Sequence, residues 1–292
     1  MDQHRIAAVL GGDSRQPFAA RAFEAAGWEV RRYQVPATGI EAGEEAETLE
    51  EALRGAEAVL LPVPCKGIDI GELCVHLTEE MTLFGLLLPD DLRTRCAEQG
   101  IPCHDLLERE DFATLNAIST AEGAIAEAIA ASAGNLHLSH ALVLGYGRCA
   151  KPLIKKLQGF GARTTVAARR WEAACAAVAD GCEVLDFMLL PYHLPRFAYI
   201  FNTVPALVLE EAHLLRLAPE AVVIDIASAP GGVDFEAAER LGVYAKLCLG
   251  LPGKYAPRAA GESIAQIARV ILEEQEGAVW NRDWSGSAPV SG

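Results

Sequence analysis

The sequence predicts an α/β protein with two doubly wound parallel-sheet domains, the C-terminal one a Rossmann dinucleotide-binding domain. Three observations predict it. Residues 141–150 (Ala141-Leu142-Val143-Leu144-Gly145-Tyr146-Gly147-Arg148-Cys149-Ala150) are an apolar strand running into Gly-x-Gly-x-x-Ala and an amphipathic segment. Residues 6–35 show the same order of strand, glycine turn, helix and strand, without the Gly-x-Gly-x-x-Gly spacing. Three later strands each end in a polar or Gly/Pro-rich loop, at the side of an open sheet where ligands bind.

Length and composition set the frame. The 292 residues suit about two domains, and 51% hydrophobic against 22% charged residues supply full cores. A net charge of −15 disfavours nucleic acid and anionic membrane as partners. Met1-Asp2-Gln3-His4-Arg5 is not followed by a signal-peptide apolar run, so a cytoplasmic enzyme is expected. The eight cysteines form no C-x-x-C pair and read as reduced, mostly buried small residues. His137 and His140 lack a third ligand nearby, so no metal site is expected.

Taken in order, Ile6–Leu10 reads as a strand, Gly11 to Gln16 as its turn, and the run to Ala26 as a helix stopped by Gly27. Glu29–Val35 is the second strand. Asp13 and Arg15 fall at the carboxyl end of the first strand, where either a ligand contact or a helix cap and a solvated residue fit. Six glutamates between positions 41 and 51 read as a solvated loop and helix face. Ala56–Val63 and Met81–Leu88 are further strands, followed by a helix over Asp90–Gln99 and a short strand at Ile101–Cys103. An alanine-rich helix over Leu115–Ala133 connects the domains and carries Asn116, Thr120 and Glu122, which spacing alone allows to face either a cleft or solvent.

In the second domain, Gly145 permits the tight turn, Gly147 lets backbone approach a pyrophosphate, and small Ala150 allows close helix–strand packing. Tyr146, Arg148 and Cys149 complete that turn, and the helix N-terminus behind it favours an anion. Pro152 is tolerable if the helix begins near Cys149. The next strand, Arg163–Ala168, ends in Arg169-Arg170, 24 residues after Gly145, where an NAD enzyme carries an acid for the ribose. Two guanidinium groups there favour the 2′-phosphate of NADP. Tyr199–Asn202 leads into Asn202-Thr203-Val204-Pro205, Ala221–Ile226 into Ala227 to Gly232, and Val243–Leu247 into Gly250 to Gly261. The expected boundaries are 1–114 for an N-terminal substrate domain, 115–136 for the connecting helix and 137–260 for the Rossmann domain. Residues 261–284 are expected to form a helix packing back between the domains, and 285–292 a disordered tail.

These motifs together resemble the family of dipicolinate synthase A subunits. The resemblance rests on Gly11-Gly12-Asp13-Ser14-Arg15-Gln16, residues 120–123, Gly145-Tyr146-Gly147-Arg148 and Asn202-Thr203-Val204-Pro205. Its more specific parts are Asp225-Ile226-Ala227-Ser228 with Pro230 to Phe235, and Gly250-Leu251-Pro252-Gly253 with Ala256-Pro257-Arg258. Ala150, Val233, Arg258 and Ala259 depart from the family pattern. The resemblance implies oxidation of dihydrodipicolinate, a product of the lysine pathway, to dipicolinate with NADP as acceptor during sporulation. It also implies a flavoprotein-like B subunit in a hetero-oligomer in the mother-cell cytoplasm; a homo-oligomer is expected as well. The substrate's two carboxylates call for cations, for which Arg15 and Arg258, with Lys254 in reserve, are the candidates. Glu122 or Asp13 would accept the proton. Two alternatives stay open: another two-domain NADP dehydrogenase of the shikimate- or alanine-dehydrogenase kind, and an NADP-binding subunit that needs its flavoprotein partner for chemistry.

Overall fold

The computed structural model describes residues 5–39 and 42–277. Two six-stranded sheets, parallel throughout, organise the chain. The first holds β1 (Ile6–Leu10), β2 (Glu29–Tyr33), β3 (Glu44–Glu45), β4 (Ala58–Leu60), β5 (Thr82–Gly85) and β6 (Cys103–Asp105), in the order β3-β2-β1-β4-β5-β6. Its crossovers include α1 (Gln16–Ala25), α2 (Leu49–Leu53), α3 (Ile70–His76) and α4 (Asp90–Glu98). The long helix α5 (Glu110–Ala131) follows. The second sheet holds β7 (His140–Leu144), β8 (Arg163–Ala167), β9 (Glu183–Leu185), β10 (Tyr199–Asn202), β11 (Val222–Asp225) and β12 (Tyr244–Leu247), in the order β12-β11-β10-β7-β8-β9. Between its strands run α6 (Ala150–Gly159), α7 (Trp171–Ala179), α8 (Leu190–His193), α9 (Glu211–Leu214) and α10 (Phe235–Leu241). The chain ends in α11 (Leu251–Tyr255) and α12 (Pro257–Gln275).

Both sheets therefore have the Rossmann strand order, with a topological switch point between β1 and β4 in one and between β7 and β10 in the other. The central strands are buried on both faces and read as apolar runs, Ala-Ala-Val-Leu in β1 and Ala-Leu-Val-Leu in β7. Two helices tie the units together. In α5, Phe112 enters the first core, whereas Ala121, Ala124, Ile125 and Ala128 enter the second. Helix α12 returns Ile264, Ala268 and Ile271 to the first core, and it crosses α1 so closely that a Cβ on Gly261 would lie 2.3 Å from the Arg15 carbonyl oxygen.

Several boundaries differ from the sequence reading. Helix α5 starts five residues earlier than expected, where Glu110 and Asp111 occupy its first turn and acids suit the dipole, and it ends at Ala131. Helix α12 begins at Pro257, inside the segment read as loop, since proline is well placed in a first turn. The acidic stretch contains the edge strand β3 as well as α2. The expected tail at 285–292, and the expected helix beyond residue 277, lie outside the described residues. Among the described residues no helix is long and apolar enough to cross a membrane.

Candidate functional site

The β7–α6 turn is built around an opening. Gly145 has φ +91°, and a Cβ there would lie 2.7 Å from Thr203 Oγ1, so only glycine fits. At Gly147, by contrast, an added Cβ meets nothing within 4 Å. Helix α6 begins at the buried Ala150 with Cys149 at its N-cap and no side-chain cap, and of its first amides the Lys151 N–H donates to the Gly147 carbonyl at 3.2 Å. Pro152 sits in the first turn, where its missing N–H costs nothing. Burial raises the Cys149 thiol pKa. Tyr146 turns to the neighbouring helices: its hydroxyl donates to the Asp180 carboxylate, and burial followed by that contact pushes the phenol up to about 12. Arg148 reaches Glu110, the first residue of α5, at 3.2 Å.

Beside this turn, Arg169 and Arg170 follow β8 and are exposed. Arg169 lies 6.0 Å from the Phe187 ring, and among the described residues neither guanidinium pairs with a carboxylate. On the other side of the switch point, the carboxyl ends of β10 and β11 are joined through buried polar groups. Asn202 and Asp225 are both 0% exposed. Asn202 Nδ2 donates to Asp225 Oδ1 (2.9 Å), and Asp225 also accepts from the Ala227 N–H (2.9 Å) and the Gly232 N–H (2.7 Å). Burial raises the Asp225 carboxyl pKa against the opposing pull of these three bonds. Thr203 donates its hydroxyl to the Leu144 carbonyl at 2.8 Å, and Val204 exchanges backbone bonds with the Asn202 side chain. Pro205 is exposed at the tip of that loop.

The equivalent turn of the first unit is filled. Gln16, 0% exposed, donates from Nε2 to the carbonyls of Leu10 (3.0 Å) and Leu61 (2.9 Å). A Cβ on Gly12 would strike its side chain at 2.5 Å. Asp13 accepts a bidentate pair from Arg15 (2.9 and 2.8 Å), which is 6% exposed. The pair abuts Gly253 of α11, whose added Cβ would lie 2.8 Å from Asp13 Oδ2 and 3.1 Å from Arg15 Nε. Ser14 donates its hydroxyl to the Gly253 carbonyl at 2.9 Å. The two units thus meet where the β1–α1 turn touches α11.

Lys254, next in line, belongs to a cluster that the sequence reading missed. Glu127 of α5, 5% exposed, accepts from Lys246 of β12 (2.7 Å) and from Lys254 (2.5 Å). These bonds hold its carboxyl down at about 2. Two half-exposed ammoniums share one carboxylate, so the cluster keeps a net positive charge. Its sequence signal was weak: Glu127 is one acid in an alanine-rich helix, seven residues after Thr120.

The structure therefore brings Asp13 and Arg15 to Gly253, and it gathers Gly145, Thr203 and Val204 around one turn with Ala227 on the adjoining strand end. It does not bring Glu122 to them. Glu122 is exposed and pairs with Lys156 of α6 at 2.7 Å, two residues and about 200° around the helix from Thr120. Thr120 is buried and returns its hydroxyl to the Asn116 carbonyl. Arg258 is exposed and pairs with Glu262, one turn along α12. Among the described residues no group of three or more His, Cys, Asp and Glu is placed to hold a metal ion.

Comparison with known proteins agrees over both units. Residues 6–107 match the N-terminal domain of the dipicolinate synthase A subunit. The dipicolinate synthase A subunit of Bacillus subtilis (strain 168) is 34% identical over 176 residues, 58% of this chain. That match spans 57% of the relative's length, less than two thirds of it. The crystal structure of the Bacillus subtilis protein superposes with a TM-score of 0.82 at 25% identity, covering 95% of this chain and 99% of that one. The A subunit from Bacillus halodurans gives 0.81 at 26% identity, over 92% and 97%.

Proposed function

Taking this chain as a relative of the dipicolinate synthase A subunits, we propose that it oxidises dihydrodipicolinate to dipicolinate with NADP as the hydride acceptor. The observation that carries the reading is the open Gly145–Ala150 turn with two carboxylate-free arginines beside it. Gly147 leaves room for a pyrophosphate at the uncapped start of α6, and Arg169 and Arg170 suit a 2′-phosphate, so the residues present fit the dinucleotide. Bound NADP supplies the hydride acceptor at the carboxyl ends of β10 and β11. The substrate loses one hydride and one proton and becomes aromatic, so the protein's tasks are orientation and proton removal.

Asp13 is the better placed of the two candidate proton acceptors. It lies at the carboxyl end of β1 against α11, and Arg15 fixes its direction through two hydrogen bonds, whereas Glu122 is exposed on another face, beside Lys156 of α6. Arg15 spends its fork on Asp13, so the substrate carboxylates fall to Lys254 and Arg258. Lys254 is the stronger candidate because Lys246 and Lys254 together outweigh Glu127 in charge. The chain acts in the mother-cell cytoplasm during sporulation, beside a flavoprotein-like B subunit.

The test is NADP reduction by the purified chain, with and without that flavoprotein-like partner, on dihydrodipicolinate, shikimate and alanine. Turnover on dihydrodipicolinate supports the reading. Turnover on either of the others overturns the substrate, and turnover that appears only with the partner present means that the two chains share the catalysis. Lys254→Ala is expected to raise KM for dihydrodipicolinate about tenfold while kcat changes less, the signature of lost binding.

A further inference from the structure

We infer that Asp225 is a positioning residue for the nicotinamide half of the dinucleotide, which it serves without touching it by locking the loops after β10 and β11 into one floor. The inference rests on the dinucleotide reading above. In a sheet of this order each three-strand half takes one mononucleotide. The β7-β8-β9 half holds the glycine turn and the arginines and thus the adenosine end, leaving β10-β11-β12 for the nicotinamide end.

The floor of that second half is one hydrogen-bonded unit. Asp225 Oδ1 takes Asn202 Nδ2 and the Ala227 N–H, and Oδ2 takes the Gly232 N–H. Asn202 in turn closes on Val204 with both ends of its amide, Nδ2 to the carbonyl and Oδ1 from the N–H, each at 3.0 Å. Space is as tight as the bonding. A Cβ on Gly231 would lie 2.6 Å from Asp225 Oδ2, and one on Gly232 would lie 2.6 Å from Asn202 Nδ2 and 2.5 Å from the Ala206 carbonyl. Val204 then stands over Gly145, where an added Cβ would be 3.0 Å from its Cγ2. One carboxylate thereby fixes Thr203–Ala206 and Ala227–Gly232. Three donors converge on two carboxylate oxygens. An amide in place of the acid would turn one NH2 toward an N–H and break the set.

The experiment compares two ligands by calorimetry on the full chain: NADP⁺ and adenosine 2′,5′-bisphosphate, its adenosine half. Asp225→Asn is expected to weaken NADP⁺ about tenfold or more and to leave the half-ligand within twofold. Asn202→Ser removes the same link without setting donor against donor, carries the test if Asp225→Asn fails to fold, and is expected to show the same split. Equal losses on both ligands would make Asp225 a general structural residue, and no loss on either would remove its role; both outcomes overturn the inference. If the unaltered chain binds neither ligand, it is the dinucleotide reading that fails, and this inference falls with it.

Discussion

The two halves of this molecule share a strand order and a five-residue turn between first strand and first helix, yet one turn is plugged and the other is open. In the first, residues 11–15 lead to Gln16, whose buried amide fills the space above the sheet and bonds the ends of β1 and β4. In the second, residues 145–149 lead to Ala150, and the space over Gly147 is empty of protein. Topology makes the crevice in both units; in the first, protein side chains occupy it, the Gln16 amide at the first helical position together with the Asp13–Arg15 pair. The first unit instead offers its turn to the neighbouring domain, through Asp13, Ser14 and Arg15 against Gly253.

Closing the second turn is the sharpest way to break that comparison. Gly147→Leu meets open space, so its thermal midpoint should stay near that of the unaltered chain, while NADP⁺ affinity measured by calorimetry should fall at least a hundredfold, about 2.7 kcal/mol. Opening the first turn is the converse. Gln16→Ala leaves the Leu10 and Leu61 carbonyls without a donor and should cost about 1–3 kcal/mol in urea unfolding, without creating a second nucleotide site. Arg169→Asp should weaken NADP⁺ about tenfold, roughly 1.4 kcal/mol, and leave NAD⁺ unweakened.

A smaller effect separates the cluster behind α11 from both turns. The Glu127 carboxyl lies at about 2 in the folded chain, below its value of about 4.3 in an unfolded one. A lowered carboxyl stabilises the fold above the unfolded value, and that contribution is lost as pH falls from about 4.3 to 2. Denaturant titrations should therefore show less pH dependence across that window in Glu127→Gln than in the unaltered chain. The half-exposed lysines keep the difference modest.

Much of this architecture was legible in the residues. The apolar runs of β1 and β7, their glycine turns and the strand-end loops at 203 and 227 mark two doubly wound units. Short elements were harder: α3, α7, α10 and β9 run from three to nine residues, too few for a period to stand out. The plug was invisible because Gln16 in Gly-Gly-Asp-Ser-Arg-Gln-Pro reads as the last residue of a glycine turn, with nothing to mark its side chain as buried. Glu122 and Glu127 look alike in an alanine-rich helix, and only the packing of α6 on one face and α11 on the other separates them. Asp225 was visible as part of a motif, but the three donors around it come from three separate chain positions.

The claim at the centre is that one of two like-built turns holds a dinucleotide. Calorimetric titration of the purified chain with NADP⁺ tests it most directly. The account predicts one site per chain, bound more tightly than NAD⁺ and lost in Gly147→Leu. Two sites per chain, or binding that survives Gly147→Leu unchanged, would contradict it.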